Sequence, residues 1–286
     1  MLIPTTNPDS LLIGGHSIAE LALRVGQTPF YAYDRALINQ RIDELRQHIP
    51  KSVHIHYAIK ANPMPAVVDY MSKRIDGLDV ASGQELLTAL NSGVSPQNVS
   101  FAGPGKREQE IIQAIASKIL INIESLNELN LVSDLSKKIH IKARVAIRVN
   151  PDFELKMSGM KMGGGPKQFG IDAELIPEIL KTISSMNVNF EGFHLYAGSQ
   201  NLKAEAIIES QIKSFDLAMQ LSQHMTQPLQ SLNLGGGFGI PYFHGDQKLD
   251  LKPIGKNLQQ LSEQLKKQHP QAQLTIELGR YLVGEA

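Results

Sequence analysis

The 286-residue chain contains no cysteine, which excludes a disulfide framework and any metal site built on thiolates. It has no excess of charge either, because its 28 basic residues balance 28 acidic ones. That balance gives no reason to expect a nucleic-acid or anionic-membrane partner. No apolar run approaches the roughly 20 residues that a membrane-spanning helix needs. The first residues lack the basic segment of a secretory signal peptide, so the sequence predicts a cytoplasmic protein.

What the sequence does contain is a repeated pattern of short β-type runs separated by amphipathic segments. Strands that alternate with helices indicate a parallel sheet, and eight such units predict an α/β fold of the (β/α)8 TIM-barrel type. The predicted strands lie near residues 53–59, 77–81, 98–102, 119–123, 143–149, 190–196, 231–235 and 273–277. An open doubly wound sheet would show much of the same pattern, so closure of the barrel is an expectation that the structure must test.

Alternation within the strands predicts which side chains enter the barrel. In the first strand, Val53, Ile55 and Tyr57 fall on one face, whereas His54 and His56 fall on the other with the later Lys60. We expect the bulky apolar face to pack under the helices and the mixed face to point inward. Polar groups near the strand C-termini would then meet at the mouth, where barrel enzymes carry out their chemistry.

The regular repeat does not cover the whole chain. We predict that residues 34–286 form the barrel, with Asp34 capping its first helix, and that residues 1–33 lie outside it. This N-terminal segment is expected to pair with a β-domain that is largely absent from the chain. After the eighth strand, residues 279–286 are too few for a final barrel helix. We therefore expect a cut sequence whose 286 residues alone are inactive.

Two inward-pointing residues suggest the chemistry. Lys60 follows the first strand, where burial would desolvate its amine and make it a nucleophile toward aldehydes, although most lysines are solvated surface charges. Glu277 lies near the end of the eighth strand, where a buried carboxylate needs a partner. A protonated pyridine nitrogen would be one partner, and the structural alternative is an ion pair with Arg148.

A second group of residues favours a phosphate site. Gly235, Gly236 and Gly237 directly follow the seventh strand, where backbone N–H groups can close on a phosphate. Ser199 follows the sixth strand, and Gly279-Arg280 follows the eighth. Barrel enzymes typically bind phosphate on the loops after strands seven and eight. Taken singly, the glycine run is equally typical of a flexible turn, and Ser199 and Arg280 of solvated loops.

Together these motifs resemble the fold-type III pyridoxal-phosphate-dependent decarboxylases, the diaminopimelate and ornithine decarboxylase family with its alanine-racemase-like barrel. The resemblance rests on segments 57–62, 79–86, 148–151, 168–171, 198–199, 235–239 and 277–281. They span nearly the whole chain in the family's order. Segments 148–171 and 197–202 are similar to a subgroup found with exosortase systems, and some relatives act on carrier-protein-bound substrates.

The resemblance implies the cofactor pyridoxal 5′-phosphate. Lys60 would hold it as a Schiff base and Glu277 would pair with the pyridine nitrogen. Its phosphate would be held by Ser199, Gly237, Gly279 and Arg280. The other implied cofactor-binding residues are Asp79, Arg148, His194, Tyr196, Gly235 and Gly236. The implied reaction is loss of the α-carboxylate from a diaminopimelate-, ornithine- or lysine-like amino acid, free or carrier-bound, in a homodimer when full length.

Four departures from the family pattern stand out. Tyr196 occupies the position where these decarboxylases usually carry a ring-stacking histidine, and His194 points the same way two residues earlier. Leu278 replaces a proline. Gln168 replaces a lysine, and Lys167 is one residue out of phase with that position. The second domain, which supplies a cysteine acid and most substrate-selecting groups across the dimer interface, is absent.

Three alternatives stay open at this point. A racemase of the same fold would pair the pyridine nitrogen with an arginine, which Glu277 argues against. A metal-dependent barrel hydrolase could use His54 and His56 on one strand face, although both precede Lys60 and would lie well below the mouth. The third alternative is a non-catalytic binder of the cofactor, which the presence of both Lys60 and Glu277 disfavours.

Overall fold

The computed structural model describes residues 11–151, 160–161 and 168–286, and its centre is a closed barrel of eight parallel strands. Numbered β1 to β8 along the chain, the barrel strands are Val53–Ala58, Gly77–Val80, Val99–Phe101, Leu120–Ile123, Ala143–Asn150, Val188–Leu195, Ser231–Asn233 and Gln273–Leu278. The circle closes because β8 pairs with β1 and β5 pairs with β6. All eight predicted strands and the barrel are confirmed, and the open sheet is excluded.

Helices precede β1, fill the connections between the barrel strands and follow β8. Numbered α1 to α10, they are Ile18–Val25, Arg35–His48, Pro65–Ser72, Gly83–Asn91, Glu108–Ala116, Leu126–Lys138, Ile176–Ile183, Ala204–Ser222, Leu251–Gln268 and Arg280–Val283. Asp34 caps α2 as predicted, since its carboxylate accepts a hydrogen bond from the Ala36 N–H at 2.7 Å. The inward face of α2 buries Ile38, Ile42 and Leu45.

The main hydrophobic core lies between the barrel and its helices. In β1, Val53, Ile55 and Tyr57 are at most 1% exposed, as the alternation predicts. Burying each such side chain stabilises the fold by about 1.5–3 kcal/mol. The opposite face of β1 points into the barrel, where His56 Nδ1 lies 3.1 Å from Asp79 Oδ1 on β2. Polar side chains therefore occupy the interior that leads to the mouth.

A hydrogen bond ties the described part of the N-terminal segment to the barrel domain. A short antiparallel pair, Leu12–Ile13 with His16–Ser17, precedes α1, a helix with no buried residue. The Gly14 N–H donates to the Asp34 carboxylate at 3.0 Å, which joins the pair to the start of α2. Among the described residues no helix has the length and apolar character needed to cross a membrane.

Candidate active site

A cavity of about 490 Å³ opens at the C-terminal ends of the barrel strands. Eight of the twelve predicted site residues line it: Lys60, Asp79, Arg148, His194, Tyr196, Ser199, Glu277 and Arg280. They come from β1, β2, β5, β6 and β8 or from the loops that follow these strands. Because parallel strands all end at one edge, residues that are far apart in sequence meet here.

Glu277 is one of two buried acids, with Asp79, among the described residues that line the cavity. Its side chain is 6% exposed, and its Oε2 accepts a hydrogen bond from Asn233 Nδ2 at 3.3 Å. Burial alone would raise its pKa, but His194, followed by Lys60 and Arg148, outweighs burial and lowers the pKa below its ordinary value. Glu277 is therefore ionised at neutral pH and can hold a proton on a facing nitrogen.

His194 is the nearest neighbour of this carboxylate. Its Nε2 lies 3.1 Å from Glu277 Oε2, but the contact lacks hydrogen-bond geometry. The ring is 1% exposed, and its Nδ1 has no hydrogen-bond partner within the part of the chain that the structure describes. A buried ring nitrogen without a partner is rare in proteins, and His194 lines the cavity in which a ligand would bind.

Tyr196 occupies the position at which the decarboxylases that the sequence resembles usually carry a histidine. It directly follows β6 and lines the cavity, with the Arg148 guanidinium 6.0 Å from the centre of its ring. Burial raises the pKa of its phenol to about 12, so the hydroxyl is neutral at physiological pH. The ring is thus an uncharged aromatic surface on the cavity wall.

Lys60 differs from its sequence-based description. It lies in a single 3₁₀ turn, Ile59–Ala61, which follows β1, and the Asn62 N–H closes this turn on the Ile59 carbonyl at 3.0 Å. The residue is exposed, so the expected desolvation is wrong in this structure. Among the described residues it is nevertheless the only lysine that lines the cavity. Its charge also contributes to the lowered pKa of Glu277 on the same cavity.

The glycine loop after β7 is a packed element and not a flexible turn. Gly235 and Gly237 have φ angles of 67° and 79°, which side chains with a Cβ rarely adopt. A Cβ on Gly236 would lie 2.0 Å from the Glu277 carbonyl oxygen, and one on Gly237 would lie 2.6 Å from the Gly198 oxygen. The Asn201 N–H also donates to the Gly237 carbonyl at 2.8 Å. The loop is thereby fixed behind Glu277 and beside Ser199.

The four predicted glycines do not line the cavity themselves. Gly235, Gly236 and Gly237 form the layer just described, and a Cβ on Gly279 would come within 3.1 Å of the Ala61 Cβ. Gly279 therefore lets β8 approach the Lys60 turn closely. The Arg280 Nη1 lies 3.4 Å from Gln200 Oε1, so the arginine sits next to Ser199, as the phosphate hypothesis requires.

Replacing Gly236 by alanine should disturb the site and the barrel together. The added methyl would overlap the Glu277 backbone, which cannot move without breaking the strand, so we expect a loss of about 1–3 kcal/mol in the free energy of unfolding. Denaturant unfolding measures this loss. The control is Gly105→Ala, where an added Cβ meets nothing within 4 Å and stability should not change. Equal stability of the Gly236→Ala protein and the wild type would contradict the packed loop.

Sequence reasoning missed the partner of Arg148. The structure pairs Arg148 with Glu124, whose Oε1 and Oε2 lie 3.1 and 3.2 Å from Nη1, which gives no support to the structural alternative of a Glu277–Arg148 ion pair. Phe169 was also missed, although its ring lies 4.7 Å from the same guanidinium. Glu124 directly follows β4, and this position at the carboxyl end of a barrel strand was the available signal. Lys167 lies outside the described residues, and Gln168 is exposed.

The two histidines of the hydrolase alternative do not form a metal site. His56 contacts Asp79, and a Cβ on Gly77 would lie 2.4 Å from its Nε2, so strand β2 packs closely against the ring. Burial lowers the pKa of His54. Within the described ranges, no group of three or more His, Cys, Asp or Glu side chains could hold a metal ion. The geometry gives this alternative no support.

The comparison with protein families decides the identity of this barrel. Residues 35–284 match the model described as pyridoxal-dependent decarboxylase, pyridoxal binding domain. The chain belongs to this family. This match confirms the family that the sequence motifs resemble. The cofactor of the family is pyridoxal phosphate.

Curated family members resemble the chain over most of its length. The L-glutamyl-[BtrI acyl-carrier protein] decarboxylase of Niallia circulans is 35% identical and covers 91% of this chain, which spans 61% of that relative. The diaminopimelate decarboxylase of Aquifex aeolicus is 34% identical. The match covers 96% of this chain and 64% of that relative. The chain thus spans less than two thirds of either relative.

Solved structures of the family share the fold. Diaminopimelate decarboxylase from M. jannaschii superposes with a TM-score of 0.86 at 30% identity, and the match covers 98% of this chain and 67% of that one. The enzyme from Helicobacter pylori, complexed with L-lysine, gives a TM-score of 0.81 at 28% identity, with coverage of 93% and 67%. The superpositions confirm the predicted alanine-racemase-like barrel.

Proposed function

We propose that this chain is the cofactor-binding barrel of a pyridoxal-phosphate-dependent amino-acid decarboxylase, and that Lys60 binds the cofactor's aldehyde. The observation that carries the proposal is the composition of one cavity. Among the described residues, one lysine, an ionised buried carboxylate, and a hydroxyl beside a guanidinium all line it. An aldehyde, a pyridine nitrogen and a phosphate need these three kinds of partner.

The residues fit the cofactor in detail. Glu277 would hold the proton of the pyridine nitrogen, because its lowered pKa keeps it ionised. Ser199 and Arg280 would hold the phosphate beside the rigid layer of Gly235, Gly236 and Gly237, and Gly279 would contribute by its close packing against the Lys60 turn. The side chains that would border the ring are Asp79, Arg148, His194 and Tyr196. When bound, pyridoxal phosphate supplies the electron sink that loss of a carboxylate requires.

The substrate proposed for the full-length protein is an amino acid that keeps its α-amino group and loses its α-carboxylate. Support comes from the relatives, which are named as decarboxylases of diaminopimelate and of L-glutamate on an acyl-carrier protein. Either a free diamino acid or a carrier-bound acyl group agrees with these names. The pairing of residues 1–33 with a further domain, the homodimer and the cytoplasmic location stay predictions from the sequence.

The remaining alternatives are weaker on specific grounds. A racemase would need an arginine at the ring nitrogen, whereas the group that we assign to that nitrogen is the buried carboxylate of Glu277. A protein that only binds the cofactor would not need an ionised carboxylate at the pyridine nitrogen. That carboxylate keeps the nitrogen protonated, which makes the cofactor an electron sink for the reaction.

An absorption spectrum with pyridoxal phosphate, before and after borohydride, tests the proposal. We expect a visible band that borohydride bleaches, with the label on the peptide that contains Lys60. Release of CO2 from diaminopimelate, ornithine, lysine and a carrier-bound glutamyl group then tests the reaction. A folded protein without a band would refute cofactor binding. A band combined with no CO2 from any of these substrates in the full-length protein would favour the non-catalytic binder.

A further inference from the structure

Lys106 is a buried cation that the proposed chemistry does not use. It lies in the loop between β3 and α5, and its side chain is only 1% exposed. The ammonium has three N–H donors, and all three are used: the acceptors are the Gly103 carbonyl at 2.8 Å, the Asn122 carbonyl at 2.7 Å and Glu128 Oε1 at 2.7 Å. A lysine is almost never this buried unless its charge is paired.

The first consequence of these bonds is local. Gly103, Pro104 and Gly105 line the cavity, whereas Lys106 lies behind them. Gly103 has a φ of +134°, a conformation that needs glycine, and its N–H donates to Glu124 Oε1. The two peptide groups that flank the Gly103 Cα are therefore both held, one by Glu124 through the Gly103 N–H and the other by Lys106 through the Gly103 carbonyl. The Gly103–Gly105 wall is fixed by these two side chains.

The second consequence reaches Arg148. Glu128 binds Lys106 with Oε1 and accepts the Glu124 N–H with Oε2 at 2.7 Å. Glu124 in turn binds the Arg148 guanidinium with both of its oxygens. Lys106 and Arg148 thus stand at the two ends of one chain of contacts, with Glu128 and Glu124 between them, that runs from behind the wall to the cavity. Removing Lys106 would leave the two carboxylates with only one cation.

We propose that Lys106 is a positioning residue for the cofactor: it fixes the Gly103–Gly105 wall and, through Glu128 and Glu124, the direction of Arg148. The inference rests on the proposed function, since it assumes that pyridoxal phosphate is the ligand of the cavity. Lys106 itself touches neither cofactor nor substrate. Its contribution is to keep two cavity elements in the geometry in which the cofactor meets them.

The test is the dissociation constant for pyridoxal phosphate, measured by the visible band, together with thermal unfolding. Lys106→Met keeps the length of the side chain and removes the donors, and we expect its cofactor affinity to fall about 10-fold or more. The matched control is Lys266→Met, because Lys266 also donates to two backbone carbonyls, those of Pro270 and Ala272, away from the cavity. That variant should keep wild-type affinity. Wild-type affinity in Lys106→Met would overturn the proposal.

Two further variants separate positioning from an unpaired buried charge. Lys106→Met with Glu128→Gln removes the stranded carboxylate but retains an acceptor for the Glu124 N–H, so stability should recover while affinity stays low. Recovery of wild-type affinity in this pair would overturn the proposal. In an Arg148→Gln background, Lys106→Met should weaken cofactor binding by a smaller factor than it does in the wild type, because both substitutions act on one guanidinium. If the two substitutions instead raised the dissociation constant by independent factors, the route through Arg148 would be contradicted. Failure of the wild type to give a band would sink the proposed function instead.

Discussion

Lys60→Ala should abolish the visible absorption band of the bound cofactor and all borohydride labelling of the protein. The reason is geometric: among the described residues, no other lysine lines the cavity, so no second amine can replace it. Pyridoxal phosphate would still enter through its other contacts, but with weaker affinity and without a covalent bond. The measurements are a spectrum at saturating cofactor and peptide mapping after reduction.

Lys252→Ala is the control for this experiment. Lys252 is an exposed lysine in the first turn of α9, away from the cavity, and its replacement should leave band and labelling intact. Lys60 is itself exposed, so its replacement should not unfold the barrel, and circular dichroism verifies this. A normal band in the Lys60→Ala protein would rule out Lys60 as the residue that binds the aldehyde.

Glu277→Gln should slow decarboxylation by about 10²–10³-fold while the cofactor still binds to Lys60. Glutamine retains the size of the side chain but loses the negative charge that would hold a proton on the pyridine nitrogen. The lowered pKa of Glu277 means that the wild type carries this charge throughout the neutral range. The measurement is kcat for CO2 release by the full-length protein, compared with the intensity of its visible band.

Glu191→Gln provides the matched control. Glu191 is also a buried barrel glutamate, but it forms a bidentate pair with Arg144 at 2.6 and 2.9 Å and does not line the cavity. This substitution should reduce stability and leave kcat unchanged. If Glu277→Gln retained full activity, the carboxylate would have no part in the chemistry, and the electron-sink role assigned to it would be wrong.

The strands and the inward face were predictable because both follow from local periodicity. Val53, Ile55 and Tyr57 alternate with polar residues at the period of a strand, and each is buried as expected. The carboxyl ends of the strands then brought Lys60 and Glu277 to one mouth. The burial of Glu277 was also predictable, because the alternation of β8 places its side chain inside the barrel. The six-residue strand continues past Glu277 before the chain turns at Gly279.

Pairing and exposure were not predictable in the same way. Arg148 could have paired with more than one buried carboxylate, and only the three-dimensional path of the β4–α6 connection makes Glu124 its partner. Lys60 is exposed because the backbone leaves the strand at Ala58 and turns through Ile59–Ala61, which moves its side chain out of the alternating pattern. The contacts of Lys106 could not be predicted either, because a loop lysine that donates to three acceptors lies outside any periodic pattern of the sequence.

The seam between β1 and β8 has a consequence for folding. These strands come from opposite ends of the barrel sequence, and their register sets Glu277 beside His56 and Leu278 beside Tyr57. Lys60 and Glu277 can therefore share a ligand only after the chain has closed into a ring, a long-range contact that forms slowly. A ligand bound across this seam favours the closed state by mass action. Saturation with cofactor should accordingly protect the β1 and β8 amides from hydrogen exchange more than those of β3 and β4.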